Sequence, residues 1–313
     1  MNGVNGVDGY QDIHHNMRFW LTTLADLLVR EREHARRERD GAGVTDRAGL
    51  PDGNGAPAGA SDGAGASAPH GADAPLVIFD IGANDGELTL PLAGRQLAAA
   101  PPVQVVAFEP QPAARARLMA RGTERNLSVA LWGTAELTVV PLALGDRDEL
   151  IQLEVYSDDT FSSLHSRPSD ELERYDLQVV ETVQTRMRPL DDLVGNVVVP
   201  PPELIKIDVE GAERAVLTGA EDTLSRYHPP MLVEFSCPNC ANAGYDRMEI
   251  IQALRAAGYD RIAGLFRNED HGLYPSEAFD DCRIWNVLAV SSAHSPAVIA
   301  AMDRYHTPWR KSP

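Results

Sequence analysis

The chain is short of positive charge, of cysteine and of long apolar runs, and each shortage narrows what it does. Against 46 Asp and Glu stand 28 Lys and Arg, a formal net charge of -18 over 313 residues. A protein that tracks phosphates must neutralise them with Lys and Arg, so this composition speaks against a nucleic-acid partner. It suits a cationic ligand. Three cysteines, Cys237, Cys240 and Cys282, are too few and the wrong parity for a disulfide scaffold and predict a reducing compartment. No stretch approaches the roughly 20 apolar residues of a membrane span, and the N-terminus lacks a basic segment followed by an apolar core. The expectation is a cytoplasmic protein with no membrane partner. What is present, 43% hydrophobic and 24% charged residues, is ordinary for a globular chain long enough for one large α/β domain with appendages or two small ones.

Residues 1 to 9 are rich in Gly, Asn and Asp and read as loose. From Gln11 to Asp40 the spacing of Phe19, Trp20, Leu21, Leu24, Leu27 and Leu28 predicts a helix, amphipathic in its first half and solvated in its second. Its expected role is packing on the main domain or on a homodimer partner. Membrane-surface binding is weaker, because the basic residues lie beyond the apolar face and alternate with Glu. Residues 41–74 hold Gly, Ala, Asp, Ser and Pro with almost no large apolar side chains, which predicts a flexible linker. The main domain is expected over 75–306, with a tail at 307–313.

That domain opens on Leu76 to Leu90, LVIFDIGANDGELTL: a short apolar strand, a glycine turn and a helical pattern, the makings of a nucleotide-binding corner. A helix is expected from Glu87 to Ala99, a second strand in VQVVAFEP, a helix from Ala113 to Arg121 and a third strand from Leu137 to Leu144. Residues 149–190, with alternating runs at Leu150 to Tyr156 and Val179 to Met187, read as an inserted β-hairpin and loop lying over the ligand edge. Strand Leu204 to Val209 with its helix, strand Met231 to Phe235, helix Arg247 to Ala257, strands Arg261 to Phe266 and Ile284 to Val290, and a helix at Pro296 to Tyr305 complete the pattern. Alternating strands and helices predict a doubly wound, Rossmann-like parallel sheet with helices on both faces.

In such a sheet ligands bind beyond the carboxyl ends of the strands. The residues gathered there are Asp80, Glu109, Gly145 with Asp146, Asp208 with Glu210, and Glu234. Nearly every core strand ends in an acid. A dinucleotide site calls for three glycines in a GxGxxG frame, whereas here Asn84 stands between Gly82 and Gly86, with acidic Asp85 beside it. A nicotinamide-dependent oxidoreductase is therefore the weaker reading. A ribose-bearing, phosphate-free, cationic cofactor fits better, and S-adenosylmethionine has those features. A non-catalytic module docking through its N-terminal helix is the third reading.

The motifs VIFDIGANDGELT, FEPQP, ALGD and LIKIDVEGAERAVLTGA together resemble the FkbM family of S-adenosylmethionine-dependent methyltransferases, over roughly residues 76–236. The resemblance implies the class I methyltransferase fold, a seven-stranded sheet with an antiparallel last strand, and O-methylation of a hydroxyl on a small molecule such as a natural product or its sugar. It implies that Asp80, Gly82, Asn84 and Gly86 hold the methionine end of the cofactor. Glu109 would take both ribose hydroxyls through its two oxygens. Pro110 and Gln111 would flank the adenine on one side, and Leu144, Gly145 and Asp146 on the other.

Strand alternation puts Lys206, Asp208 and Glu210 on one side of KIDVEG. The functional reading is that Asp208 and Glu210 face the transferred methyl group and orient or deprotonate the acceptor hydroxyl, with Lys206 beside them; the alternative is a buried Lys and acid network of these residues that fixes the strand. Methyl transfer is a displacement in which alignment, worth roughly 7 to 11 kcal/mol in favourable cases, outweighs a general base at about 10²- to 10⁴-fold. His165 is a further base candidate by its near-neutral pKa, although a lone loop histidine is more often solvated. Ser162 and Ser163 match a small-residue pair of the family and line the pocket. Asp208, Glu210 and Glu234 are hard ligands of the kind magnesium takes, but no spacing requires a metal. Cys237 and Cys240 form one CxxC pair, short of a four-ligand zinc site unless Cys282 and a His join; a redox role is the other reading.

Overall fold

The structure, a computed structural model, describes residues 8–42, 74–95, 102–266, 271–293 and 296–309. The loose start expected at residues 1–9, the linker at 41–74 and the tail at 307–313 lie mostly outside the described residues; of their described parts, 8–9 and 41–42 belong to a helix and so depart from the expectation. In chain order the elements are α1 (Asp8–Ala42), β1 (Val77–Ile81), β2 (Gln104–Phe108), α2 (Pro112–Glu124), β3 (Val129–Leu131), β4 (Leu137–Val140), β5 (Ala143–Leu144), β6 (Glu149–Tyr156), α3 (Ser169–Tyr175), β7 (Val179–Arg188), α4 (Leu190–Gly195), β8 (Leu204–Ile207), α5 (Glu213–Thr218), α6 (Glu221–Tyr227), β9 (Met231–Glu234), α7 (Cys237–Asn242), α8 (Met248–Ala256), β10 (Arg261–Phe266), β11 (Ile284–Val290) and α9 (Pro296–Arg304).

Among the described residues one eight-stranded sheet runs β10-β11-β9-β8-β1-β2-β4-β3. Only β11 is antiparallel to its neighbours β9 and β10. Seven of these strands are the expected ones; the eighth, β3, is a three-residue edge strand beside β4, too short to announce itself by periodicity. The central strands β1, β2, β8 and β9 are buried along their whole length, as a parallel sheet covered on both faces requires. On one face α4 to α8 pack on Val77, Phe79, Val106, Ile205 and Val233. The other face, with Ile78, Val105, Leu204, Leu232 and Leu288, is covered by α1, α2 and α9.

Helix α1 buries Trp20, Leu21, Leu24 and Leu28 on the sheet of its own chain, where each fully buried leucine contributes about 1.5–3 kcal/mol. Its second half is less solvated than the charge pattern suggests. Arg32 is buried, donates to the Ala74 carbonyl and pairs with buried Glu203. The helix expected from Glu87 does not form over 87–95, which is a succession of turns. Pro91 has no N–H to give the Glu87 carbonyl, and Gly94 at φ +66° turns the chain away.

The third expected strand is split. It stops at Val140, and after Pro141 the chain leaves the main sheet as β5 to pair with β7. With β6 antiparallel to β7, this makes a three-stranded sheet in which the expected insertion hairpin is the larger part. Cys237 and Cys282 form a disulfide and Cys240 is a buried free thiol. The CxxC pair is thus neither a zinc corner nor a dithiol, and a disulfide is not what a reducing compartment predicts. No helix among the described residues is long and apolar enough to cross a membrane.

Candidate active site

A cleft of about 270 Å³ opens at the carboxyl ends of β1, β2, β8 and β9. Asp80, Gly82, Asn84, Glu109, Pro110, Leu144, Lys206, Asp208, Glu210 and Glu234 line it together. Four distant motifs are therefore one site.

The β1 turn approaches the β8 turn so closely that a Cβ on Gly82, at φ +78°, would lie 1.9 Å from the Asp208 carbonyl oxygen. Asn84, also left-handed at φ 47°, donates its backbone N–H to Glu109 Oε2 at 2.7 Å, and Gln111 donates its own to Oε1 at 2.7 Å. Each Glu109 oxygen accepts one amide and keeps a second lone pair. A bidentate acceptor for two vicinal hydroxyls is thereby held at the end of β2. Burial, only partly offset by those two bonds, pushes the Glu109 carboxyl up to about 7.

Lys206 lies beside Asp80 in the β1–β8 register. Its buried ammonium donates to the Gly82 carbonyl at 2.5 Å and stands 3.0 Å from Asp80 and 3.9 Å from Asp208. Burial works against its charge, but Asp80 and Asp208 prevail and hold it above the ordinary lysine range. The geometry favours the fixing role for Lys206: it ties β8 to the glycine turn.

Asp208, Glu210 and Glu234 form the opposite end, with an oxygen of each lying within 4.8 Å of the others. Glu210 sits just past β8 at φ 55° and receives Arg167 Nη2 at 2.6 Å and Asn239 Nδ2 at 2.8 Å, both on Oε2. Asn239 also donates to Glu234 Oε1 at 2.9 Å. Burial, then the Asp208 charge, pushes Glu210 up to about 8, and burial with the Glu210 and Asp208 charges raises Glu234 well above the carboxylate range. Buried Glu213 accepts from the amides of Val209 and Gly211 and holds this turn in shape.

Five of the expected residues fall outside the lining: Gly86, Gly145, Asp146, Ser163 and His165. Gly86 does not line the cleft; a Cβ there would meet Leu118 at 2.4 Å, so its role is packing under α2. Gly145 and Asp146 also lie outside it, because β5 carries the chain past Leu144 toward β7; Gly145 donates to the Arg188 carbonyl and Asp146 pairs with Arg147. Leu142, Ala143 and Leu144 supply the apolar wall instead. His165 is not in the lining either. It is half-buried, with its ring beside Gly211, and burial holds its pKa below the usual histidine value.

The insertion supplies what the motifs did not. Asp159 pairs with Arg117 and meets the Asn84 side chain across the cleft, while Thr160, Ser162 and Leu164 add to its wall. Ser163 donates to the Glu210 carbonyl at 2.7 Å. Arg167, Asn239, Asp159 and Asn286 were invisible as site residues, since the cleft groups they meet are set by tertiary packing and not by any local pattern. Only Asp159 and Arg167 lie near a stretch, DDTFSSLHS, that its polarity had marked as lying over the ligand edge.

With this geometry in hand, the family model described as "Methyltransferase FkbM domain" matches residues 80–261, more than half of the chain. The chain belongs to the FkbM methyltransferase family. It is 29% identical over 157 residues to the 2-O-methyltransferase NoeI of Sinorhizobium fredii, covering 48% of this chain and 59% of NoeI. Among solved structures it resembles the methyltransferase FkbM from Methylobacillus flagellatus KT, with TM-score 0.40 and 18% identity over 69% of this chain and 43% of that one. It also resembles the magnesium protoporphyrin IX methyltransferase of Synechocystis PCC 6803 with bound SAM, with TM-score 0.35 and 13% identity over 70% and 71%. This FkbM-family chain thus spans 59% of the length of the curated relative it matches.

Proposed function

We propose that this FkbM-family chain is an S-adenosylmethionine-dependent O-methyltransferase acting on a hydroxyl of a small molecule, such as a natural product or its sugar. The observation that carries the reading is that one cleft holds a backbone-clamped acid, Glu109, at one end and the Asp208, Glu210 and Glu234 cluster at the other. The chain's residues fit the cofactor. Glu109 has two oriented lone pairs for the ribose diol, Pro110 and Leu142 to Leu144 offer apolar surface for a base, and Asp80 and Asp208 bring negative charge to a sulfonium. When bound, S-adenosylmethionine supplies the electrophilic methyl carbon.

In its ionised form the acid cluster would accept a hydrogen bond from the acceptor hydroxyl, turn a lone pair of its oxygen toward the cofactor side of the cleft, and take up the hydroxyl proton as the methyl carbon exchanged its bond to sulfur for one to oxygen. Leu142 to Leu144 give the path an apolar wall. Excess acid in the cleft also selects against phosphorylated or carboxylated acceptors.

The reading is tested by incubating the protein with S-adenosylmethionine carrying a labelled methyl group and a panel of neutral sugars and alcohols, then searching by mass spectrometry for products heavier by one methylene. With an acceptor in hand, Glu210→Gln should lower kcat by about 10²- to 10⁴-fold and leave the affinity for S-adenosylhomocysteine unchanged. Equal loss of cofactor affinity would contradict the division of the cleft into two ends.

A further inference from the structure

The acid cluster poses a problem that its neighbours do not solve. Three carboxylates share a buried pocket, and proximity of like charges in low dielectric is costly unless positive charge or protons enter. Arg167 is shared between Glu210 and Glu171, and Lys206, bonded to Gly82 and Asp80, reaches Asp208 only at 3.9 Å. Among the cleft-lining residues four buried atoms lack a hydrogen-bond partner: Asp80 Oδ1, which faces the Lys206 ammonium, Ser162 Oγ, Glu234 Oε2 and Asn286 Oδ1. Glu234 is 4% exposed and its Oε2 has no hydrogen-bond partner; Asn286 is 2% exposed and its Oδ1 has none. These residues stand opposite each other in the β9–β11 ladder, and both line the cleft. Buried acceptors without donors are rare and ask for an explanation.

The orienting bonds are arranged to leave ligand atoms over. Asn239 and Arg167 hold Oε2 of Glu210, and Asn239 holds Oε1 of Glu234. Glu210 and Glu234 are thus each fixed through one oxygen, and all three acids bring an oxygen within 4.8 Å of one another. Donors behind hard oxygen ligands, fixing their direction, are what a metal site requires of its surroundings.

We propose that Asp208, Glu210, Glu234 and the Asn286 amide oxygen form a binding site for a hard divalent cation of the magnesium or manganese class. An all-oxygen set of carboxylates and an amide suits such ions and not zinc, which takes nitrogen and sulfur ligands. The cation meets the unpartnered oxygens of Glu234 and Asn286 and offsets the clustered charge. Its role in catalysis rests on the function proposed above: it binds the acceptor hydroxyl as a further ligand, making it more acidic and fixing its oxygen beside the cofactor. Its binding does not depend on that reading.

The test is a titration of the full chain with Mn2+, following loss of the free-ion signal by electron paramagnetic resonance, with Mg2+ as competitor and S-adenosylhomocysteine affinity measured in parallel by calorimetry. One Mn2+ per chain, displaced by Mg2+, is expected. Glu234→Gln and Asp208→Asn should each weaken it at least tenfold, and Asn239→Ala, which frees two ligands, by roughly 10- to 100-fold, with circular dichroism showing each variant folded. Absence of saturable Mn2+ binding in the wild type would overturn the site, as would binding unaffected by both Glu234→Gln and Asp208→Asn. S-adenosylhomocysteine binding without Mn2+ removes the cation alone; Mn2+ binding without S-adenosylhomocysteine removes the proposed function and keeps the site.

Discussion

Glu109 shows how one side chain joins fold to chemistry. Its two bonds from the Asn84 and Gln111 amides aim the carboxylate, and burial raises its pKa to about 7. On the proposed reading only the ionised Glu109 would accept from both ribose hydroxyls, so affinity for S-adenosylhomocysteine should fall about tenfold per unit as pH drops below about 7, the limit for a one-proton requirement. Calorimetry between pH 5.5 and 8.5, which brackets this pKa at roughly 1.5 units each way, checks it; a flat profile would contradict the assignment. The sign for stability is opposite. A carboxyl whose folded pKa is raised binds protons more tightly in the fold, so its contribution is present below the unfolded value of 4.5 and lost as pH rises through about 7. Urea unfolding of the ligand-free chain should show this as a decline that Glu109→Ala flattens. Glu109 was legible in the sequence because an acid ending an apolar strand has a fixed place in a parallel sheet. Asn239 and Arg167 were not, because nothing local to either says that its amide or guanidinium ends at Glu210.

Elements were legible where burial is uniform or periodic, and illegible where a single residue decides. Pro91 undoes the helix after β1, and Pro141 divides a strand and sends β5 to a second sheet. Helix α1 covers the sheet face that α2 and α9 share. Arg32→Met takes the guanidinium away from buried Glu203, which keeps the Val77 amide as a donor, and is expected to destabilise the chain by up to about 3–5 kcal/mol in urea unfolding. A change within the range of exposed pairs, about 1 kcal/mol or less, would mean that α1 is held by its apolar stripe alone. The Cys237–Cys282 disulfide closes a separation of 45 residues between the ends of β9 and β11, the strands that carry Glu234 and Asn286. Chain-entropy reasoning gives such a loop about 4 kcal/mol. Reduction, or Cys282→Ser, should lower the unfolding midpoint, with the oxidised wild type as reference.

At the scale of the molecule, the doubly wound sheet follows from the alternation of elements, its antiparallel β11 is what the family resemblance implied, and the cleft follows from the sheet. Every strand-end acid named from the sequence, apart from Asp146, is in the cleft lining. Asp146 misses because the ALGD turn belongs to β5, whose departure from the main sheet is a tertiary event that no local pattern records. Beyond family membership, the central claim is that this cleft binds S-adenosylmethionine with Glu109 on its ribose. The most direct measurement is calorimetric titration of S-adenosylmethionine into the wild type and into Glu109→Ala, each shown to be folded. The account predicts saturable binding at one site per chain, weakened at least tenfold in the variant. No binding to folded wild type, or equal affinity in the two, would contradict it.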